Sequence, residues 1–166
     1  MKRSKIARIV LALCAGVMMI AFFGGCAQQT SVASEEQAAN RQYMSSVNTS
    51  IDELSDRLGG FEDAVSRGDT VAMRTQADNA FKVLDSLASL EAPEALKDVQ
   101  TGYVDGCNAL KDALNSYIAL YTEIDSATEE HPFDYSTYND RLKEIQDKYN
   151  DGLSRLEAAD QKAAEL

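Results

Sequence analysis

Apolar residues recur at alternating spacings of three and four along most of the chain, which is the pattern of an amphipathic α-helix. The first seam predicts a helix over 34–67 and consists of Met44, Val47, Ile51, Leu54, Leu58, Phe61 and Val65. Gly68 is a suitable C-terminal cap for this helix. Gly59 and Gly60 interrupt the seam. Because two adjacent glycines cost about 2 kcal/mol relative to alanine in a helix, we predict a break near 59–60.

Three further seams of the same spacing predict three more helices, over residues 70–90, 93–126 and 134–163. Each predicted helix begins at a residue that favours a helix start, namely Asp69 or Thr70, Pro93 and Asp134. No stretch shows the strict alternation of apolar and polar residues that indicates a β-strand.

These elements predict an all-α fold, with residues 34–166 forming one four-helix domain. Short connections favour antiparallel neighbours, so we expect an up-down-up-down bundle. The third predicted helix is longer than the second, and their shared turn fixes one pair of ends. We therefore expect the surplus length at residues 114–126 to project at the other end.

The N-terminal 25 residues have the composition of a secretory signal peptide. Lys2, Arg3, Lys5 and Arg8 form a basic start without any acidic residue. An apolar run follows over 9–23, about the length of a signal-peptide core and shorter than a comfortable membrane span. We predict a signal peptide over 1–25 that is removed before Cys26.

The residues Phe23-Gly24-Gly25-Cys26 resemble the lipobox of bacterial lipoproteins. The resemblance implies that a diacylglycerol is attached to the Cys26 sulfur and that an N-acyl chain such as palmitate joins it. It also implies an extracytoplasmic location at the cell envelope, with residues 26–33 as lipidated cysteine and tether. The alternatives are an uncleaved N-terminal anchor or an ordinary signal peptide in which Cys26 has no role.

The segments "SRGDT", "LEAPEALKDVQTGY" and "YIALY" in the second and third predicted helices are similar to small helical lipoproteins of unknown activity. This similarity covers about 60 residues and implies no particular function. Arg67-Gly68-Asp69 within "SRGDT" is also the tripeptide that integrins recognise. The roles of Gly68 and Asp69 at a helix end and a helix start explain it fully.

Cleavage before Cys26 would remove four basic residues and no acidic residue. The remaining chain has 12 Lys and Arg (16 minus 4) against 27 Asp and Glu, a net charge of −15. Such a charge repels nucleic acid and anionic lipid headgroups, so we expect no nucleic-acid partner. The membrane contact is expected through the lipid at Cys26 alone. Cys107 would then have no partner for an internal disulfide, and its apolar neighbours predict a buried thiol.

Aromatic residues concentrate at the end of the third predicted helix and the start of the fourth. The candidate partner or ligand surface consists of Tyr117, Tyr121, Phe133, Tyr135 and Tyr138. Tyrosine combines a broad apolar ring with a hydroxyl and is enriched at binding surfaces. Exposed and contiguous rings would indicate a protein partner, an internal cavity lined by them would indicate a small apolar or aromatic solute, and close-packed buried rings would remove the support for both.

The sequence favours a non-enzymatic binding module, with a small-molecule binding bundle as the alternative and an enzyme as a remote one. His131 is the only histidine, so the ligand sets of bundle metal sites cannot be completed. We expect no metal and no cofactor, since the C-x-x-C-H signature of covalent haem is absent. No G-x-S-x-G motif occurs, and we predict no catalytic residues.

Overall fold

The computed structural model describes residues 31–165. The predicted signal peptide, Cys26 and the first part of the predicted tether lie outside this range. Every regular element of the described residues is helical, without a strand: there are four α-helices and one short 3-10 turn. The helices are α1 (Ser31–Arg67), α2 (Thr70–Ala88), α3 (Lys97–Asp125) and α4 (Tyr138–Ala164). The all-α class and the number of helices predicted from the seams are confirmed.

Helix α1 is longer and more regular than its sequence predicts. It begins at Ser31, so the last residues of the predicted tether are helical. It continues through Gly59 and Gly60, and the predicted break there is wrong. Gly60 lies against α2, where an added Cβ would be 3.0 Å from the Gln76 side chain. Packing against a neighbouring helix thus outweighs the low helix propensity of two glycines.

The turn between α1 and α2 has the caps that the sequence predicts. Gly68 has a positive φ of 66°, and its N–H donates to the Val65 carbonyl at 3.0 Å. The N–H of Asp69 donates to the Ala64 carbonyl at 3.0 Å, which completes a Schellman motif. The Asp69 carboxylate then accepts from the Ala72 N–H at 2.9 Å and caps α2.

The third helix begins through an intermediate turn. Pro93 precedes the 3-10 turn Glu94–Leu96, and the Leu96 N–H donates to the Pro93 carbonyl at 2.8 Å. The α-helix itself starts at Lys97, four residues after the predicted start at 93. Proline fits this position because it has no N–H to leave unpaired in a first turn.

The fourth helix begins at Tyr138, and its predicted start at Asp134 is wrong. The Asp134 carboxylate accepts from the Ser136 N–H at 2.9 Å, two residues further along. This local bond is an Asx turn, which competes with the helix-capping role that the same side chain can play. Residues 134–137 therefore belong to the loop.

One apolar core joins the four helices. Backbones pack closely between α1 and α2, between α2 and α3, and between α3 and α4. The largest fully buried side chains include Tyr103, Met73, Leu84, Leu87, Leu96, Leu110 and Leu156. Cys107 is also buried, as predicted. No helix in the described part of the chain is both long and apolar enough to cross a membrane.

Helices α3 and α4 approach each other most closely at glycines. A Cβ added to Gly106 would lie 2.7 Å from Leu156, and one added to Gly152 would lie 2.8 Å from Leu110. Further along, Gly102 faces Ala159. Residues later in α3 thus face residues earlier in α4.

The expected surplus of α3 at residues 114–126 is not present. The first residues of α2, Thr70 and Val71, share a groove with Thr122 and Asp125, so α2 begins level with the end of α3. The extra length of α3 lies at its other end, beside the connection 89–96. There the Gln100 side-chain amide donates to the Leu90 carbonyl at 2.5 Å.

Candidate functional site

The loop that joins α3 to α4 is organised by local hydrogen bonds. Helix α3 ends where the Ser126 N–H donates to the Thr122 carbonyl at 3.0 Å. The Thr128 N–H then donates to the His131 carbonyl, and the His131 N–H donates to the Thr128 hydroxyl, both at 3.1 Å. Hydrogen bonds from Ser136 lower the pKa of the Asp134 carboxyl, which closes the last turn before α4.

The loop and the start of α4 bring three of the predicted aromatic residues together. Phe133 is 8% exposed and meets Tyr135 edge to face, with ring centroids 4.9 Å apart at 80°. Tyr138 lies 6.4 Å from both Phe133 and Tyr135. Such edge-to-face pairs are worth about 0.5–1.5 kcal/mol beyond the area that they bury. Phe133 therefore serves as the buried base on which Tyr135 and Tyr138 rest.

The other two predicted aromatic residues lie on α3. Tyr121 stacks on Tyr117 with centroids 6.5 Å apart, and Phe61 of α1 meets Tyr117 edge to face at 5.7 Å. Tyr117 is only 7% exposed, and burial raises the pKa of its hydroxyl. The expectation that Tyr117 forms part of an exposed surface is wrong, because its seam position directs it into the core.

An ion pair holds the start of α4 against the end of α3. The Arg141 guanidinium donates to the Glu123 carboxylate at 2.7 Å. This bond lowers the pKa of Glu123 and raises that of Arg141. The same guanidinium lies 5.8 Å from the centre of the Phe133 ring, within cation–π range. Sequence reasoning missed Arg141 and Glu123, although Arg141 is one helical turn after Tyr138.

We call the loop 126–137, together with Tyr121, Tyr138 and the Arg141–Glu123 pair, the α3–α4 tip. Its most exposed ring is Tyr135 at 58%, and among large apolar side chains of the described chain only Val71, at 76%, is also exposed. Tyr121 and Tyr138 are half-buried. Exposed carboxylates lie on the same loop and at the adjoining helix ends: Asp125, Glu129, Glu130, Asp134 and Asp140.

Two open grooves between helices provide space for a ligand. One of about 330 Å³ lies between α2 and α3. The other, of about 290 Å³, lies between α1 and α2. Neither groove is lined by any of the five predicted aromatic residues, so the small-solute alternative at those rings gains no support from them.

The described part of the chain offers little for metal or nucleophilic chemistry. It contains no group of three or more His, Cys, Asp or Glu residues that could hold a metal ion. His131 is exposed in the loop. Burial raises the pKa of the Cys107 thiol to about 12, which keeps it neutral and a poor nucleophile.

Tyr103 and Asp160 form a partly buried polar pair between α3 and α4. The Tyr103 hydroxyl donates to the Asp160 carboxylate. Burial is the main cause that raises the pKa of the Tyr103 hydroxyl, and the hydrogen bond to Asp160 raises it further. Burial also raises the pKa of Asp160. Because the pair lies within a closely packed contact, we interpret it as structural.

No family model, curated protein or solved structure matches this chain.

Proposed function

We propose that the protein is a bacterial lipoprotein, anchored outside the cytoplasm through a diacylated Cys26 after removal of residues 1–25. The basic start, the apolar run and the sequence Phe23-Gly24-Gly25-Cys26 support this proposal. Each buried CH₂ contributes about 0.8 kcal/mol, and two acyl chains anchor a protein stably where one binds only marginally. Helix α1 begins at Ser31, five positions after Cys26, so the lipid would hold that end of α1 at the bilayer.

We further propose that α1 to α4 form an antiparallel up-down-up-down bundle within one domain over 34–166. The contact between α3 and α4, in which residues later in α3 face residues earlier in α4, supports this topology. So does the contact between Gly68, at the end of α1, and the hydroxyl of Tyr121 near the end of α3. At about 1.5 Å per residue, the 37 residues of α1 span about 55 Å. In this arrangement the α3–α4 tip is remote from the bilayer.

The function that we propose is non-enzymatic binding of a protein partner at the α3–α4 tip. The observation that carries it is Tyr135, a ring 58% exposed on a buried base. The Phe133 contact and the Arg141–Glu123 pair restrain the surface before any partner arrives. A preorganised aromatic anchor lowers the entropy cost of association and is a frequent centre of binding energy.

The charge around this anchor favours a basic partner surface. Glu129, Glu130, Asp134 and Asp140 are exposed beside the rings. Complementary charge increases the association rate and disfavours acidic competitors. The net charge of −15 that the chain would have after cleavage before Cys26 acts in the same direction.

Affinity capture from detergent-solubilised envelopes tests the binding proposal. Tyr135→Ala should reduce recovery of the specific partner at least about tenfold, since hot-spot truncations cost 2 kcal/mol or more. Val71→Ala is the matched control, because it truncates the other exposed large apolar side chain of the described residues, which lies on α2 beside Asp125 and not in the loop that carries Tyr135. A partner recovered equally with both variants would contradict the assignment to the tip.

Metabolic labelling with a fatty acid tests the anchor separately. The wild-type protein should incorporate label and appear in the membrane fraction, while Cys26→Ser should do neither. Mass spectrometry of the native product should begin at residue 26. An intact leader or an unmodified thiol at Cys26 would contradict the lipoprotein proposal without affecting the tip.

A further inference from the structure

The groove between α1 and α2 differs from the α3–α4 tip in its charge. Its polar lining is contributed by both helices: Ser50, Glu53 and Arg57 from α1, and Asn79, Lys82 and Ser86 from α2. Positions 50, 53 and 57 share one face of α1, and positions 79, 82 and 86 share one face of α2. Val83, which is buried, adds an apolar wall. Two cations and one carboxylate thus line a cleft in a strongly acidic molecule.

Among residues 31–165, no carboxylate forms an ion pair with Lys82. Every other lysine within residues 31–165 forms an ion pair: Lys97, Lys111, Lys143, Lys148 and Lys162. The Lys82 ammonium instead contacts the neutral Asn79 side-chain oxygen at 3.4 Å. Its positive charge remains available within the groove.

Arg57 also has unused hydrogen-bonding capacity. One terminal nitrogen of its guanidinium donates to the Glu53 carboxylate at 3.0 Å. Its Nε is shielded from solvent and has no hydrogen-bond partner in the part of the chain that the structure describes. Most buried donors in proteins are paired, so an unpaired one needs an explanation. A guanidinium can offer two parallel N–H groups to an oxyanion, and a small rotation about the side chain would present Nε in that way.

The neutral groups of the groove supply further donors. The hydroxyls of Ser46, Thr49 and Thr75 donate to carbonyls of their own helices. Within the described structure, the hydroxyls of Ser50 and Ser86 form no such bond. Serine hydroxyls and the Asn79 amide can each donate to an anion that enters the cleft.

From this convergence we propose that the α1–α2 groove binds the phosphate group of a small molecule, between Arg57 and Lys82. The volume of about 290 Å³ exceeds that of a few water molecules, at about 30 Å³ each. A phosphate has more acceptor oxygens and more charge than a carboxylate, which matches two cations and several neutral donors. This site is independent of the protein-binding tip.

Isothermal titration with inorganic phosphate tests this site on the detergent-solubilised full-length protein. About 0.15 M salt screens the acidic surface beyond roughly 8 Å. Lys82→Gln should weaken phosphate binding about tenfold, in keeping with loss of a charge-assisted hydrogen bond. Lys143→Gln is the matched control, because Lys143 lies on α4 and pairs with Asp147 at 2.5 Å. Undetectable phosphate binding, or equal binding by the two variants, would overturn the proposal.

A gain of affinity provides a second and sharper test. Glu53→Gln removes the one carboxylate of the groove and frees Arg57, so phosphate should bind about threefold more tightly. Glu144→Gln removes the same charge from α4, where Glu144 pairs with Lys148 at 2.9 Å, and should leave affinity unchanged. The same change in phosphate affinity in both variants would overturn the assignment of the site to the α1–α2 groove. Acetate should bind at least tenfold more weakly than phosphate, and equal affinity would overturn the assignment to a phosphate group.

Discussion

At one end of the α3–α4 pair, Tyr103 is fully buried and its hydroxyl donates to Asp160. At the other end, Tyr135 leaves more than half of its surface in water. Both residues have the same side chain and both lie where α3 meets α4 or the loop between them. Comparing them shows how the helix or loop that contains a tyrosine determines whether its ring is buried or exposed.

The difference between the two ends begins in the backbone. Tyr103 occupies a seam position on α3, one turn from Gly106, where the helices approach closely. The Asp160 carboxylate accepts the hydrogen bond from its hydroxyl there. Tyr135 lies in a loop whose turns are closed by Asp134 and Thr128, so its ring is directed by local hydrogen bonds. Helix packing buries a ring, whereas a loop can present one.

Carboxylates at the two ends differ in the same way. Burial raises the pKa of Asp160. At the tip, the hydrogen bond from Arg141 lowers the pKa of Glu123, whose side chain is 54% exposed. Desolvation thus sets the direction of the pKa shift of Asp160 near Tyr103, whereas a cationic partner sets that of Glu123 at the tip.

The largest expected effect comes from truncating a tyrosine at each end. Tyr103→Ala should lower the free energy of unfolding by about 3–5 kcal/mol, because it leaves a large cavity in the core. Tyr135→Ala should lower it by no more than about 1.5 kcal/mol, because most of the ring is in water and its edge-to-face pair with Phe133 is worth about 0.5–1.5 kcal/mol. Urea denaturation followed by circular dichroism measures both values. Similar losses in the two variants would show that Tyr135 is part of the core and would remove the contrast.

Substitutions at two glycines test whether the close approach of α3 and α4 near Tyr103 contributes to stability. In Gly152→Ala the new Cβ would lie 2.8 Å from the Leu110 side chain and 3.0 Å from its backbone nitrogen. We expect a loss of about 1–3 kcal/mol from overpacking, despite the better helix propensity of alanine.

Gly59→Ala is the matched control for this overpacking. Nothing lies within 4 Å of its added Cβ, so the substitution should stabilise α1 by about 0.5–1 kcal/mol. Thermal denaturation should therefore shift in opposite directions for the two variants. A higher melting temperature for Gly152→Ala would mean that α3 and α4 can move apart at little cost in free energy.

The parts of the fold that follow from local periodicity were predictable from the sequence. The four seams, the burial of Cys107 and the caps at Gly68 and Asp69 depend on residues close together in the chain. The predicted break at Gly59-Gly60 was wrong, and Gly60 packs closely against Gln76 of α2, which is 16 positions away. A contact of that kind has no signature in the local pattern.

The candidate site was only partly predictable for a related reason. The aromatic residues were recognised by composition, yet whether a ring is buried depends on which neighbours meet it. Tyr117 is covered by Phe61 from α1, and Phe133 by Arg141 from α4. Neither partner is near its ring in sequence. The start of α4 was misplaced because Asp134 can close a loop turn as well as cap a helix.

The smallest effect that we predict is a pair of opposite pH dependences. The raised pKa of Asp160 means that the folded protein holds this proton more strongly than the unfolded chain. Stability therefore falls as pH rises from the unfolded value of about 3.9 through the folded pKa. The lowered pKa of Glu123 has the reverse effect, since its contribution is present above the unfolded value and is lost as pH falls through the folded pKa.

Two neutral variants separate these contributions, with urea denaturation measured at intervals between pH 3 and pH 7. Relative to Asp160→Asn, the wild-type protein should gain stability as the pH falls. Relative to Glu123→Gln, it should lose stability over the same range, and only slightly, because an exposed ion pair is screened by solvent. If both differences ran in the same direction, the two ends of the α3–α4 pair would share one electrostatic environment. The contrast between a buried end and a solvated tip would then be wrong.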